Sequence, residues 1–411
     1  MSDPVVLAIF GIVYLGMLLG EIPGLALDRT GIAILGAIAL VATGRASIDE
    51  AWSAVDVPTI ALLFGLMLLS AQFRLGGFYA RVTTWLGTRP LGPPHLLGLW
   101  MIATAILSGL LANDIVCLAA TPVLIEACSR RRLDPLPFAV GLACAANIGS
   151  ASTLIGNPQN MLIGEALELS FAGYLARAAL PSLLGLAAAW GFLAWRFRAR
   201  WERAFASASL PQARFDPWQT AKALFVLFAL VVLFLGGWWP REIVVLAAAG
   251  LLLCSRRTAS RETLALVDWD LLLLFIGLFV VNDALARSGA TREAMDALAR
   301  RGIALERPPF LFGAAVVLSN LVSNVPAVML LLPAAQAPTM EAQMAAGATL
   351  ALASTLAGNL ILVGSIANLI VVEQARRMGF SIGWKEHAAL GVPITLITLA
   401  IAAGWLALGA G

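Results

Sequence analysis

Ala112-Asn113-Asp114-Ile115-Val116-Cys117-Leu118-Ala119-Ala120-Thr121-Pro122 is the stretch on which the fold turns. An amide and a carboxylate stand side by side inside a long apolar region. The pattern returns without a gap as Ser323-Asn324-Val325-Pro326-Ala327-Val328-Met329-Leu330-Leu331-Leu332-Pro333. At one offset of 211 residues, Ser108 aligns with Ser319, Asn113 with Asn324 and Pro122 with Pro333. Polar side chains are costly in lipid. A polar tip kept twice, in register, therefore reads as two halves of one substrate or ion site.

The surrounding composition supplies the medium. The 411 residues are 60% hydrophobic and 12% charged, with mean hydropathy +0.88. Soluble domains carry roughly 25% charged residues. Apolar runs recur from end to end, so the chain reads as an all-α polytopic membrane protein whose partner is the lipid bilayer. No Lys or Arg occurs in the first 28 residues. A leader needs a basic start, so residues 5–20 read as a retained first helix. The net charge of +3 sits in arginine-rich loops and calls for no nucleic acid. Cys117, Cys128, Cys144 and Cys254 are scattered without metal spacing and read as packing thiols, so no metal cofactor is expected.

Hydropathy predicts helices at roughly 4–21, 29–45 and 57–75, a hairpin at 97–127, a broken helix at 136–168 and a helix at 172–195. A second set follows at roughly 219–239, 240–254 and 268–287, with a hairpin at 309–336, a broken helix at 341–375 and a helix at 387–409. Asp56 and Gly65 align with Asp268 and Gly277 at an offset of 212; Gly156, Asn160 and Glu165 align with Gly364, Asn368 and Glu373 at 208. We therefore expect two copies of one unit, residues 1–200 and 219–411, joined by a linker at 201–218. Asp56, Asp268 and Asp270 fit helix starts at membrane edges.

Arginine placement sets the orientation. The linker region carries Arg196, Arg198, Arg200, Arg203 and Arg214 and should be cytoplasmic. Arg74, Arg81, Arg130, Arg131, Arg132, Arg256, Arg257, Arg376, Arg377 and Lys385 should share that side, with Asp49 and Glu50 opposite. Five full crossings per unit, an odd number, invert the second copy. The loop 287–307 disagrees, since it holds five arginines yet falls outside; an amphipathic surface helix with Glu293, Asp296 and Arg300 on one side would reconcile it.

About 20 residues are needed per span. Each hairpin looks too short for two crossings and is expected to turn back near mid-membrane, at Leu111–Asp114 and at Val322–Val325. The broken helices carry Asn147 through Asn160 and Thr355 through Asn368, where Gly156, Pro158, Gly358 and Gly364 interrupt the helix. Interrupted helices in matching places of two halves point to a transporter's binding site. The candidates are Ser108, Asn113, Asp114, Asn147, Gly156, Asn157, Asn160, Ser319, Ser323, Asn324, Asn359, Gly364, Ser365 and Asn368. Asn113, Asp114 and Gly156 form a candidate sodium site. Asp114 suits coupling to protons or sodium, because an intramembrane carboxylate needs a cation or a proton. Ser108, Ser150, Ser152 and Ser319 fit helix–helix packing as well as binding. Glu165 and Glu373 read as solvated helix ends, and His95 and His387 as structural residues at membrane borders.

The Ala-Asn-Asp tip, the Gly-Asn-Pro-Gln-Asn break, the Ser-Asn-Val-Pro tip and the Gly-Ser-Ile-Ala-Asn break resemble the ion transporter superfamily. That group includes arsenite permeases, divalent anion:sodium symporters and citrate transporters; the nearest likeness is a bacterial anion permease branch. The resemblance implies an inverted repeat with two re-entrant hairpins, a scaffold, a transport domain moving as an elevator, often a homodimer, and a bacterial inner membrane. In the dicarboxylate branch each tip reads Ser-Asn-Thr and binds sodium and a carboxylate. Here those positions are Ala112-Asn113-Asp114 and Ser323-Asn324-Val325, and Asp114 would repel a carboxylate. The expectation is a secondary transporter for a small anionic or neutral oxyanion such as arsenite, with H+ or Na+ as coupling ion. A sodium/proton antiporter on the same fold is one alternative; a channel or structural membrane subunit is another. No GxxxxGK[ST], HExxH or GxSxG occurs, so no enzyme chemistry is expected.

Overall fold

The computed structural model describes residues 3–20, 27–203, 215–255 and 258–409. Arg214, Arg256, Arg257 and linker residues 204–214 therefore lie outside the described residues. The first half runs α1 (Pro4–Leu19), α2 (Arg29–Ala42), α3 (Ile48–Ser53), α4 (Val57–Leu75), α5 (Phe78–Gly87), α6 (Pro93–Leu110), α7 (Asn113–Arg130), α8 (Pro135–Ser150), α9 (Pro158–Ala166) and α10 (Phe171–Arg196). The second runs α11 (Pro217–Gly236), α12 (Arg241–Leu253), α13 (Ser260–Leu264), α14 (Trp269–Arg287), α15 (Ala290–Arg300), α16 (Pro308–Val322), α17 (Asn324–Ala335), α18 (Met340–Ala357), α19 (Ile366–Arg377) and α20 (Trp384–Ala407). Each helix has a counterpart ten helices later. Among the described residues, six helices are long and apolar enough to cross a membrane, and the chain is a multi-pass membrane protein.

Local chemistry sets the ends. Asp56 and Asp268 cap α4 and α14 by accepting from the N–H groups of Thr59 and Leu271, as their positions suggested. The crossings repeat as well. A side chain on Gly65 would sit inside Val245 of α12, and one on Gly277 would lie 2.7 Å from the Ala33 carbonyl carbon of α2. Ala33 and Val245 are separated by the same offset as Gly65 and Gly277, so α4 crosses α12 as α14 crosses α2. At the centre, α8 is buried along almost its whole length and α18 from Ala346 onward. Ala139, Gly141, Ala143, Ala145, Ala146 and Gly149 give α8 the small surface that close helix approach requires. Phe225 and Phe228 of α11 point outward instead, where lipid is the natural neighbour.

The loops gather at two ends. Asp134 N–H donates to the Trp201 carbonyl, Arg203 N–H donates to that of Arg132, and the Arg203 guanidinium lies over Phe380. Asp216 N–H donates to the Gly76 carbonyl, and Lys222 bonds the Leu252 and Cys254 carbonyls. The arginine-bearing loops expected on one side thus meet one another. At the opposite end Arg287 pairs with Glu50 at 2.5 Å.

Three expectations change. The arms of the first hairpin are 18 residues each, beginning at Pro93 and ending at Arg130. Helices of that length reach about 27 Å, so the shortage of residues expected for 97–127 does not hold; Pro93 and Pro94 start the helix earlier than hydropathy indicated. Four short helices, α3, α5, α13 and α15, were not expected as regular elements, although α15 lies where an amphipathic helix was considered. On it Glu293, Asp296 and Arg300 are exposed while Met295 and Leu298 are half-buried. Glu165, expected to be solvated, is largely buried against Arg241.

Candidate solute and ion site

Each hairpin turns without a side-chain cap. Leu111 and Ala112 are extended, and α7 starts at Asn113. At the second tip a single residue, Ser323, makes the turn at φ 76° and ψ 162°. That region is almost reserved for glycine, and a side chain there costs about 1–3 kcal/mol. Strain of this kind persists only where the surroundings impose it.

The first tip docks on the first break. Asn113 N–H donates to the Gly156 carbonyl at 3.3 Å, which brings the proposed trio of Asn113, Asp114 and Gly156 together. Thr153 Oγ1 donates to the Gly109 carbonyl at 2.5 Å. A Cβ on Gly156 would overlap the Ser150 carbonyl, so the chain can fold back there only with glycine. At the second tip Asn320 Nδ2 donates to the Ala357 carbonyl at 3.2 Å, and Asn324 Nδ2 lies beside Gly358.

Both breaks are stapled alike. Asn160 Nδ2 donates to the carbonyls of Ser150 (3.2 Å) and Thr153 (2.9 Å). Asn368 Nδ2 donates to those of Gly358 (2.8 Å) and Ile361 (3.2 Å). Donor and acceptors alike keep the offset that aligns Gly156 with Gly364. These donors satisfy carbonyls that the interrupted helices release. Asn157 accepts from Asn160 N–H and caps α9, as Ser365 caps α19 by accepting from Ala367 N–H.

The halves are then tied across. Asn147 Nδ2 donates to Asn359 Oδ1 at 2.8 Å and to Asn368 Oδ1 at 3.4 Å. Its Oδ1 accepts from Ser365 Oγ at 3.0 Å and Asn113 Nδ2 at 3.4 Å. Thr355, its counterpart, donates to Asn160 Oδ1 at 3.3 Å and accepts from Gln159 Nε2 at 3.2 Å. Asn147 therefore joins the first tip to the second break. The tips themselves are linked through Asn147, Asn368 and Gly358, not by direct contact between Asn113 and Asn324.

What remains unpaired is also duplicated. Asn113 Oδ1 and Asn324 Oδ1 are buried with no protein partner, and so are Ser108 Oγ and Ser319 Oγ. Leaving a buried oxygen unpaired costs about 1–3 kcal/mol, and here it is left twice at matching positions. Asp114 is half-buried and has no hydrogen bond or ion pair among the described residues. The groups left over are two amide oxygens, two hydroxyls that can donate or accept, and the Asn359 Nδ2 donor. The arrangement can hold a cation or a solute that donates O–H, and the uncapped N-termini of α7 and α17 present partial positive charge beside it.

All fourteen candidates fall in this one neighbourhood. Sequence reading overlooked Asn320 and Gln159. The His387 side chain, expected to be structural, is 1% exposed and packs with the Asn359 carbonyl against Gly391. Its counterpart in the first half is Tyr174, which donates to the Ala151 carbonyl at 2.7 Å. The drift of the repeat offset from 208 to 213 was the available signal.

Known proteins are similar to this chain along nearly its whole length. A silicon efflux transporter, LSI3, of Oryza sativa subsp. japonica is 27% identical over 468 residues, covering 95% of each chain. An uncharacterized transporter of Mycobacterium tuberculosis is 28% identical over 399 residues, covering 92% of this chain and 93% of the relative. The YdaH transporter of Alcanivorax borkumensis superposes with a TM-score of 0.56 at 15% identity, over 99% of this chain and 98% of that one; this likeness shows the multi-span helical fold alone. Residues 5–357 match the family model described as citrate transporter. The chain belongs to that family, within the ion transporter superfamily, and is a secondary transporter of a small solute, not an enzyme.

Proposed function

We propose that the chain moves a small inorganic anion or oxyanion, arsenite-like, across a bacterial inner membrane, coupled to protons or sodium, by an elevator motion of inverted halves. The observation that carries this is the duplicated set of unpartnered oxygens, Asn113 Oδ1 and Ser108 Oγ on one tip, Asn324 Oδ1 and Ser319 Oγ on the other. A neutral metalloid hydroxide offers O–H donors to such oxygens, whereas a carboxylate would meet Asp114. One relative is named a silicon efflux transporter and another, from Dictyostelium discoideum, a putative transporter arsB, which suits solutes of this kind.

Inversion is supported by the ends at which the hairpins open. Arg131 bonds the Arg89 and Leu91 carbonyls, closing the base of the first hairpin at the arginine-rich end. The second hairpin follows α15, whose neighbour Arg287 pairs with Glu50 at the other end. Re-entrance is supported by the docking of each tip on a helix break in the interior. Asp114 would carry the coupling ion, with Asn113 and the Gly156 carbonyl as co-ligands, and two such chains would pair as a homodimer.

The test is flux in proteoliposomes. Arsenite uptake driven by a pH or sodium gradient is expected, with counterflow exchange that a channel would lack. Asp114→Asn should abolish gradient-driven uptake while leaving the folded fraction unchanged; unaltered uptake removes Asp114 from the mechanism. Proton movement on adding sodium, with no anion present, would favour the antiporter instead.

A further inference from the structure

Arg241, at the start of α12, and Glu165, in α9, form an ion pair at 2.7 Å. Their side chains are only 14% and 11% exposed, and the same guanidinium donates to the Gly164 carbonyl at 2.7 Å. The last turn of α9 has no basic residue of its own, so Arg241 also serves its C-terminus. Asp56 and Glu242 are the other carboxylates around the pair.

The second copy has the same two residues. Arg29 starts α2 as Arg241 starts α12, at the offset that relates Asp56 to Asp268. Glu373, the counterpart of Glu165, lies in α19. Yet they do not pair. Glu373 bonds Arg376 and Arg377 of its own helix at 2.9 Å. Arg29 is half-buried, its Nε lacks a partner, and it forms no ion pair among the described residues.

The breaks differ in the same sense. Ile155, in the first break, is 1% exposed, while its counterpart Val363 is 52% exposed. The first break is thus covered by protein at this position and the second is not. Helix α9 packs on α4, α17 and α18, whereas α19 packs chiefly on α7 and α8.

We infer that Arg241–Glu165 and Arg29–Glu373 are alternating latches: the first holds the state seen here, and the second forms when the first parts. This rests on the elevator reading. The four residues are positioning residues. They bind no solute, and they set which break is covered. Glu373 exchanges its helical arginines for Arg29 as α19 approaches α2, so the charge is never left alone.

The experiment uses full-length protein with Cys254→Ser, in membranes open on both sides. Ile155→Cys and Val363→Cys are each labelled with a membrane-impermeant maleimide. Val363→Cys should react and Ile155→Cys should be protected. Adding Glu165→Gln should raise labelling at 155 and lower it at 363, shifting their ratio by roughly tenfold, because parting one partner of a buried pair removes the contact that favours this state. Glu373→Gln should shift the ratio the other way. The swap Arg241→Glu with Glu165→Arg should restore the original pattern if the pair acts by charge. Shifts of both Gln variants in one direction, or a swap that restores nothing, would overturn the latches. If sodium or arsenite alters the labelling ratio while Glu165→Gln and Glu373→Gln do not, the latches fail and the elevator stands. If no condition moves it, both fail.

Discussion

Asn160 and Asn368 show how one amide can serve as structure inside the candidate site. Each directs Nδ2 at two carbonyls that a broken helix exposes, and Asn160 Nδ2 also meets the Tyr174 hydroxyl at 3.2 Å. Asn160→Ala and Asn368→Ala should each cost about 2–4 kcal/mol, since two buried acceptors lose their donor; chemical denaturation in detergent reads this. A loss below about 0.5 kcal/mol would argue that the carbonyls find other partners. The asparagines could be picked out from sequence because they stand beside helix breakers at one offset. Their division into ligands and staples could not. That distinction depends on where each Nδ2 points, which spacing does not encode. Tyr174 and His387 were hidden for another reason: an aromatic and an imidazole share no residue type, so the repeat that relates them leaves no trace in composition.

At the scale of the element, the two tips solve one problem differently. The first turns through two extended residues, Leu111 and Ala112, and the second through Ser323 alone. Ser323→Gly should stabilise the fold by about 1–3 kcal/mol by relieving the backbone. It should also slow transport, since a relaxed turn no longer fixes Asn324; melting temperature and flux measured together check this, and faster flux would count against it. The short helix α3 carries a capping box in which Glu50 accepts from Ser47 N–H. That bond, then the Ser47 hydroxyl and Arg287, holds the Glu50 carboxylate below its usual range. A depressed carboxylate contributes stability above its unfolded pKa, near 4.3, and loses it as pH falls through the folded value. Hydrogen exchange over residues 47–53 should therefore be flat from pH 7 to about 5 after intrinsic-rate correction, and rise only below the ordinary carboxylate range. Hydropathy missed α3 because six residues, even with Ile48, Ala51 and Trp52 at helical spacing, are too few for a periodic signal to register. It overlooked the true start of α6 because prolines at a helix start look like breakers.

Across the whole molecule, the matching crossings of α4 with α12 and α2 with α14 form a frame, and α8 with α18 form a polar-centred core. The order of elements was readable from sequence because helix breakers and aspartate caps recur with it. The asymmetry between halves was legible only in part: Arg376 and Arg377 follow Glu373 one turn on and have no equivalent after Glu165, but the pairing of Glu165 with Arg241 is long-range and leaves no local mark. We propose that Asn113 and Asn324, on opposite tips, hold one cargo between them. The most direct test is thermal stabilisation of the detergent-solubilised protein across titrations of sodium and of arsenite. A ligand that binds the folded state raises stability in proportion to the logarithm of its concentration. Stabilisation that grows in this way is predicted for the wild type and is predicted to vanish alike in Asn113→Ala and Asn324→Ala; stabilisation that survives both substitutions would show that the two tips hold no shared cargo.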